Sequence, residues 1–167
     1  GHALAYDFQS GDLCYNITSD STVEVTYQYQ TYWYDNNDNY EGLTVVTIPR
    51  TVTFEDKVYF VTGIGYEAFL GCYSLKSITI PSSVTKIGFD SFAICTSLET
   101  FKIDDNSPIT KLPSCLFYCL SLKNIQIPSS LTEIDESCFY ECLSIEEISF
   151  PNVKKIGMNC FKNALSL

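Results

Sequence analysis

The sequence predicts an α/β solenoid. In this fold a right-handed coil stacks short strands into a parallel sheet, with short helical turns on the opposite wall and a β-rich N-terminal cap. Three observations predict it. A large apolar column (Phe69, Phe92, Leu116, Phe139, Phe161) recurs at spacings of 23, 24, 23 and 22 residues. The pairs Ile78-x-Ile80, Phe101-x-Ile103, Ile125-x-Ile127 and Ile148-x-Phe150 alternate with period two, the mark of a strand buried on one face. Small residues keep fixed places beside the aromatic column. Each unit is too small to bury its apolar side alone, so the units must stack.

The elements follow in chain order. Residues 13–18 and 23–29 read as two alternating strands joined by Ser19-Asp20-Ser21. Residues 51–61 read as a hairpin turning at Glu55-Asp56. Residues 1–60 are therefore expected to form the cap, and residues 61–167 a solenoid of about five repeats of 22–24 residues, the last incomplete. Each repeat opens on an apolar residue (Val61, Val84, Ile109, Leu131, Val153), then a second (Ile64, Ile87, Leu112, Ile134, Ile156), then the aromatic. In the third repeat this run is one residue shorter. Segments such as Tyr66–Phe69 are too short for a free-standing helix and are expected to make one or two helical turns. A leucine or isoleucine (Leu75, Leu98, Leu122, Ile145, Leu167) leads into each strand, and Pro81, Pro128 and Pro151 close strands because proline cannot donate to a ladder. Leu167 fills its column with no strand after it. The strand at residues 147–150 is then an edge. It calls for further chain, a covering segment, or edge-to-edge self-association at the C-terminal coil.

The cysteines follow the repeat. The place before the aromatic holds Ala68, Ser91, Cys115, Cys138 and Cys160, and the place three after it holds Cys72, Cys95, Cys119, Cys142 and Ala164. A slot that accepts Ala, Ser or Cys is a packing slot for a small buried residue. A zinc site needs three or four converging ligands, and the one histidine is His2. A redox dithiol favours C-x-x-C, which does not occur. Disulfides between neighbouring coils stay open, and Cys14 lies outside the array.

The columns match the L-x-x-L-x-L pattern as Leu75-x-x-Ile78-x-Ile80 and Ile145-x-x-Ile148-x-Phe150. The asparagine ladder that usually follows is missing, with only Asn106 near its place. The form around Ile80–Leu98 and Ile127–Ile145 resembles the BspA-like leucine-rich repeats, the Treponema-type class. The resemblance covers residues 44–167 and implies a secreted or cell-surface protein of a host-associated microbe, acting in adhesion and protein–protein interaction. It brings no catalytic residues and no cofactor.

Charge narrows the partners. The net charge is −10, and residues 1–49 hold seven acids and no Lys or Arg. With no basic patch, nucleic acid and anionic membranes are poor partners. No apolar run is long enough to cross a membrane. The start, GHALAYDF, lacks the features of a signal peptide. Gly1-His2 reads as a cloning remnant, so a targeting segment is expected to have been removed already. A Ser-His-Asp or Cys-His centre is excluded by inventory. Carboxylate pairs such as Asp104-Asp105 and Glu146-Glu147 would suit glycoside hydrolysis only across a cleft, which a filled coil does not offer. Asp35–Asn39 fails the calcium-loop pattern, because Tyr40 and Val46 stand where Gly and Glu are needed.

Two candidate binding surfaces remain. The run from Tyr27 to Tyr40 is rich in aromatics; Tyr27 and Tyr29 are expected to seal the cap, while Tyr32, Trp33 and Tyr34 could meet a sugar ring or a protein. The outward column Thr79, Lys102, Gln126 and Ser149 is a polar sheet face. Beside it Lys76, Glu99, Lys123 and Glu146 alternate in charge, and each such pair would add about 0.2–1 kcal/mol to the stack. The expected partner is a host or microbial surface protein or glycan; the alternative is a structural spacer in a larger surface protein.

Overall fold

The computed structural model describes residues 6–30 and 39–164. Thirteen strands lie among them: β1 Phe8–Ser10, β2 Leu13–Ile17, β3 Thr22–Thr26, β4 Val45–Thr47, β5 Thr51–Phe54, β6 Lys57–Ile64, β7 Ser77–Ile80, β8 Lys86–Ile87, β9 Thr100–Ile103, β10 Lys111–Leu112, β11 Asn124–Gln126, β12 Glu133–Ile134 and β13 Lys155–Ile156.

Near the N-terminus β1, β2 and β3 form an antiparallel meander, and β3 runs parallel to β6. The β5–β6 hairpin turns at Glu55-Asp56, both at positive φ (50° and 64°), as a two-residue hairpin loop requires. The main repeat sheet is parallel, in the order β4-β7-β9-β11. A second row of two-residue ladders pairs in parallel, the end of β6 with β8, and β10-β12-β13. The strand β4 lies in the repeat sheet although it precedes residue 61.

The third wall corrects the expected helical turns: the described residues contain no helix. Residues two before and two after the aromatic column sit at positive φ, as at Glu67 and Gly71, Asp90 and Ile94, or Ser137 and Glu141. That breaks any helix. Alternate residues close four-residue turns, as in Ala68 N–H to Gly65 O, Leu70 to Glu67 O and Cys72 to Phe69 O. The residues between donate to the next coil, as in Glu67 N–H to Phe89 O, Phe69 to Ser91 O and Gly71 to Ala93 O. Amides that a helix would spend internally are thus spent on stacking.

The shorter third coil drops one of these left-handed residues: no positive φ falls between Pro113 and Leu116. Gly88 and Gly157 sit where two full-length coils approach. A Cβ on Gly88 would lie 2.5 Å from Tyr66 N, and one on Gly157 would lie 2.2 Å from Glu136 N. Where the short coil takes part, Pro113 and Asp135 hold the same place.

The main core is one continuous column, with a small second cluster of Leu70, Ala93 and Phe117 beside it. Phe69 stacks on Phe92 at 5.3 Å and Phe139 on Phe161 at 5.3 Å, and Leu116 is buried between the two pairs. Tyr40 extends the column at its N-terminal end, 5.3 Å from Phe69. All eight cysteines are free and buried. The Cys95, Cys119 and Cys142 thiols donate to Phe69 O (3.1 Å), Phe92 O (3.2 Å) and Leu116 O (3.2 Å) of the preceding coil. The small-residue column is thus also a thiol ladder. Burial pushes the Cys95 and Cys160 thiols up to about 12 and raises Cys72, Cys119 and Cys138 well above the usual value. Ser74, Ser121 and Ser144 bond backwards in the same way, to Leu43 O, Thr96 O and Leu120 O.

A second correction concerns residues 147–150, which are not a strand. Ile148 and Phe150 still pack on the core. Phe150 stands where earlier coils have Ile80, Ile103 and Ile127, and its ring lies 6.0 Å from Phe139 and 6.2 Å from Phe161. We attribute the loss of the ladder to that extra bulk. The free edge at this end of the sheet is therefore β11.

Candidate binding surface

The repeat sheet fixes the candidate surface. Its register aligns Thr47, Thr79, Lys102 and Gln126 in one outward row, and Val45, Ser77, Thr100 and Asn124 in the next. Neighbouring side chains in a row are about 4.8 Å apart, the strand spacing. The alternate residues Val46, Ile78 and Phe101 are buried and anchor the strands from behind. Lys102 and Gln126 are exposed, Thr79 is half-buried, and Lys102 belongs to no described ion pair.

At one end of the row lies a hollow of about 370 Å³ that includes Lys102 and is rimmed by Arg50 and Asp104. Arg50 Nη2 lies 3.9 Å from an Asp104 carboxylate oxygen, and its Nη1 donates to Ser82 Oγ at 2.8 Å. The surface therefore offers two cations, one carboxylate and a grid of hydroxyls and amides on a stiff backing.

Three of the four expected sheet residues, Thr79, Lys102 and Gln126, share this row. Ser149 is exposed but lies outside the ladder. Tyr32, Trp33 and Tyr34 fall outside the described residues, as does Asp35–Asp38. Tyr27 and Tyr29 are half-buried. Asn39 and Tyr40, which follow the Asp35–Asp38 run, are buried. Asn39 Oδ1 accepts from Gln28 N–H (2.7 Å) and Tyr29 N–H (3.2 Å), and its Nδ2 donates to Ala68 O (3.1 Å), tying the N-terminal strands to the first turn wall. Thr47 and Arg50 were missed. The available signal was Val46-x-Ile48-Pro49, which repeats Ile78-x-Ile80-Pro81.

The alternating column Lys76, Glu99, Lys123 and Glu146 forms no ion pair within 4.0 Å among the described residues. The charge ladder lies on the other wall. Lys111 reaches Glu133 (3.7 Å) and Asp135 (3.1 Å), and Lys155 reaches Glu133 (3.5 Å). Beside it a hollow of about 550 Å³ lies between Phe89 and Met158, at the shortened coil. No cluster of three or more metal-ligating side chains occurs among the described residues, and no helix there is long and apolar enough to cross a membrane.

A helix-free stack of 22–24-residue coils, with a parallel sheet and a thiol ladder, defines a leucine-rich repeat solenoid. The chain belongs to the BspA type leucine rich repeat family, whose model matches residues 38–167 in six copies. It is similar to a leucine-rich repeat protein of Bacteroides ovatus, at 35% identity and TM-score 0.79, over 97% of this chain and 40% of that one. It is also similar to the leucine rich repeat protein of T. pallidum, at 26% identity and TM-score 0.72, over 96% of this chain and 69% of that one. A leucine rich cell surface protein of Faecalibacterium prausnitzii shares the fold at 24% identity and TM-score 0.50, over 96% of this chain and 52% of that one. No curated protein matches the sequence.

Proposed function

We propose that the chain is a non-enzymatic protein-binding or adhesion module on the surface of a host-associated microbe, and that it binds through the outward row of the repeat sheet. The observation that carries this is the register: Thr47, Thr79, Lys102 and Gln126 are held in line on a buried backing, with Arg50 and Asp104 beside them. A row of donors and acceptors set at fixed spacing on a stiff backbone suits recognition of another surface. The surface location is supported by family membership and by the F. prausnitzii cell surface protein that shares the fold. The non-enzymatic reading is supported by family membership and by a sequence whose one histidine is His2.

A second reading, a structural spacer in a larger surface protein, is favoured by length, since this chain spans 40% of the Bacteroides ovatus protein. The test measures binding of the wild-type chain and of a Thr79→Arg/Lys102→Glu variant to immobilised mucosal and matrix proteins. Binding that falls at least tenfold in the variant supports the sheet face. Equal binding removes the face as the site, and no binding by the wild type favours the spacer.

A further inference from the structure

Among the described residues β4 is a free edge of the repeat sheet, and it carries an inference of its own. In a parallel ladder only alternate residues of an edge strand bond to the neighbour. Thr44 O accepts from the Lys76 and Ser77 amides, and the Ile48 amide donates to Thr79 O. Those even positions, with Val46 between them, face β7. The N–H and C=O groups of Val45 and Thr47 therefore point to the open side. Both residues are exposed, Val45 at 63%.

Two adjoining hollows run along that side, of about 510 and 210 Å³, sharing Asp12, Leu43 and Val45. Leu13, Tyr15 and Pro49 wall the smaller one, and Glu41 adds a second carboxylate to the larger. Neither Asp12 nor Glu41 is in a described ion pair. No Lys or Arg precedes Arg50, and Arg50 is committed to Asp104 and Ser82.

We propose that this edge docks an extended segment of a partner protein. The segment adds a strand to β4, sets Lys or Arg against Asp12 and Glu41, and places a branched apolar side chain in the smaller hollow. The main-chain bonds supply affinity, and the alternate side chains select the sequence. Charge complementarity steers the encounter and rejects acidic segments. A second copy of this chain fits less well, because its own free edge, β11, is followed by Glu146-Glu147, which would set acid against acid. The proposal rests on the protein-binding reading but uses a surface separate from the Lys102 row, so each can fail alone.

The probe is a capped, fluorescein-labelled nonapeptide alternating Val with Lys and Thr, titrated with the full chain and read by fluorescence anisotropy. Its comparators carry Glu for Lys, or N-methyl groups on alternate amides of one edge. Saturable binding by the Lys peptide, weakened at least tenfold by either change, supports the proposal. Val45→Pro removes an outward amide and no bond to β7, which edge strands tolerate. It should weaken binding at least tenfold while the far-UV circular dichroism and the urea midpoint hold. If that variant fails to fold, the N-methylated peptide on the wild-type chain decides. Absence of Lys-peptide binding, equal binding of the N-methylated peptide, or loss with Lys102→Glu instead of Val45→Pro overturns the proposal. So does sedimentation showing a dimer that Val45→Pro abolishes without any peptide binding, which would assign the edge to a second copy.

Discussion

Gly88→Ala tests the stacking geometry directly. The φ of Gly88 lies outside the left-handed range, so alanine could adopt it. In open space the change would stabilise the fold by about 0.4–1 kcal/mol, by narrowing the unfolded ensemble. The space is not open. The new Cβ would meet Tyr66 N at 2.5 Å, Gly65 C at 2.7 Å and Tyr66 Cα at 2.8 Å, all backbone atoms. Ordinary carbon contacts begin near ~3.5 Å, so the two coils must part by roughly 1 Å. Gly88 N–H to Ile64 O (2.8 Å) and Glu67 N–H to Phe89 O (3.1 Å) oppose that separation. Overpacking of this kind costs about 1–3 kcal/mol and outweighs the entropic gain. For a chain of this size that lowers the thermal midpoint by roughly 2–12 °C. Urea and thermal unfolding followed by far-UV circular dichroism measure it, with Asp135→Ala as the control. Asp135 faces the shortened coil and loses only its ion pair with Lys111, a cost of about 0–1 kcal/mol. A Gly88→Ala protein as stable as the wild type, or more so, would refute the close-approach argument.

Four further outcomes are expected. Burial keeps the Cys14, Cys72, Cys95, Cys119, Cys138, Cys142 and Cys160 thiols protonated when folded, with Cys95 and Cys160 pushed up to about 12 from an ordinary 9.0. The unfolded chain binds fewer protons above that ordinary value. The stability these groups confer is therefore complete below about pH 8 and falls as pH rises from 9 towards 12, by up to about 1.4 kcal/mol per pH unit for each thiol. Urea midpoints at pH 7, 8.5 and 10 check the slope, and Cys95→Ala should flatten it. Tyr40→Phe keeps the ring on Phe69 but removes the hydroxyl that donates to Thr26 O and accepts from Cys14 N–H; urea unfolding should show a loss of about 1–3 kcal/mol. Phe92→Ala should cost about 3–5 kcal/mol, and Phe92→Leu under about 1.5, because Leu116 already fills that column in the next coil. Ser91 Oγ is buried with no hydrogen-bond partner, so Ser91→Ala should raise the urea-derived stability by about 1 kcal/mol.

The repeat was legible because burial imposes period on sequence. The column from Phe69 to Phe161 and the pairs such as Ile78-x-Ile80 are written in side-chain type, and the structure brings them together. The turn wall was misread because its signal is conformational. Glu67, Asp90 and Ser137 look like ordinary polar residues until their positive φ values show that no helix runs through them. Asp, Asn and Gly tolerate that conformation best, and Asp90, Asn159, Asn163 and Gly71 were the available hint. Asn39 was hidden by its neighbours, since a polar run gave no sign that its last residue turns inward. Of the candidate surface, the row through Thr79, Lys102 and Gln126 followed from strand alternation alone. Strand β4 escaped because residues 51–61 interrupt the period between it and the next unit.

The turn wall has a direction. Its cross-coil amides all point one way, from Glu67, Phe69 and Gly71 towards Phe89, Ser91 and Ala93, and again from Ser137, Phe139 and Glu141 towards Met158, Cys160 and Lys162. The stack therefore has a donor terminus and an acceptor terminus, and its small bond dipoles add along the axis instead of cancelling. Two such rods can abut through this wall only head to tail, because a two-fold arrangement would set hydrogen against hydrogen or oxygen against oxygen. Polymers of the module inherit a polarity, and a coil transplanted from a related protein extends the wall only when inserted in the same sense.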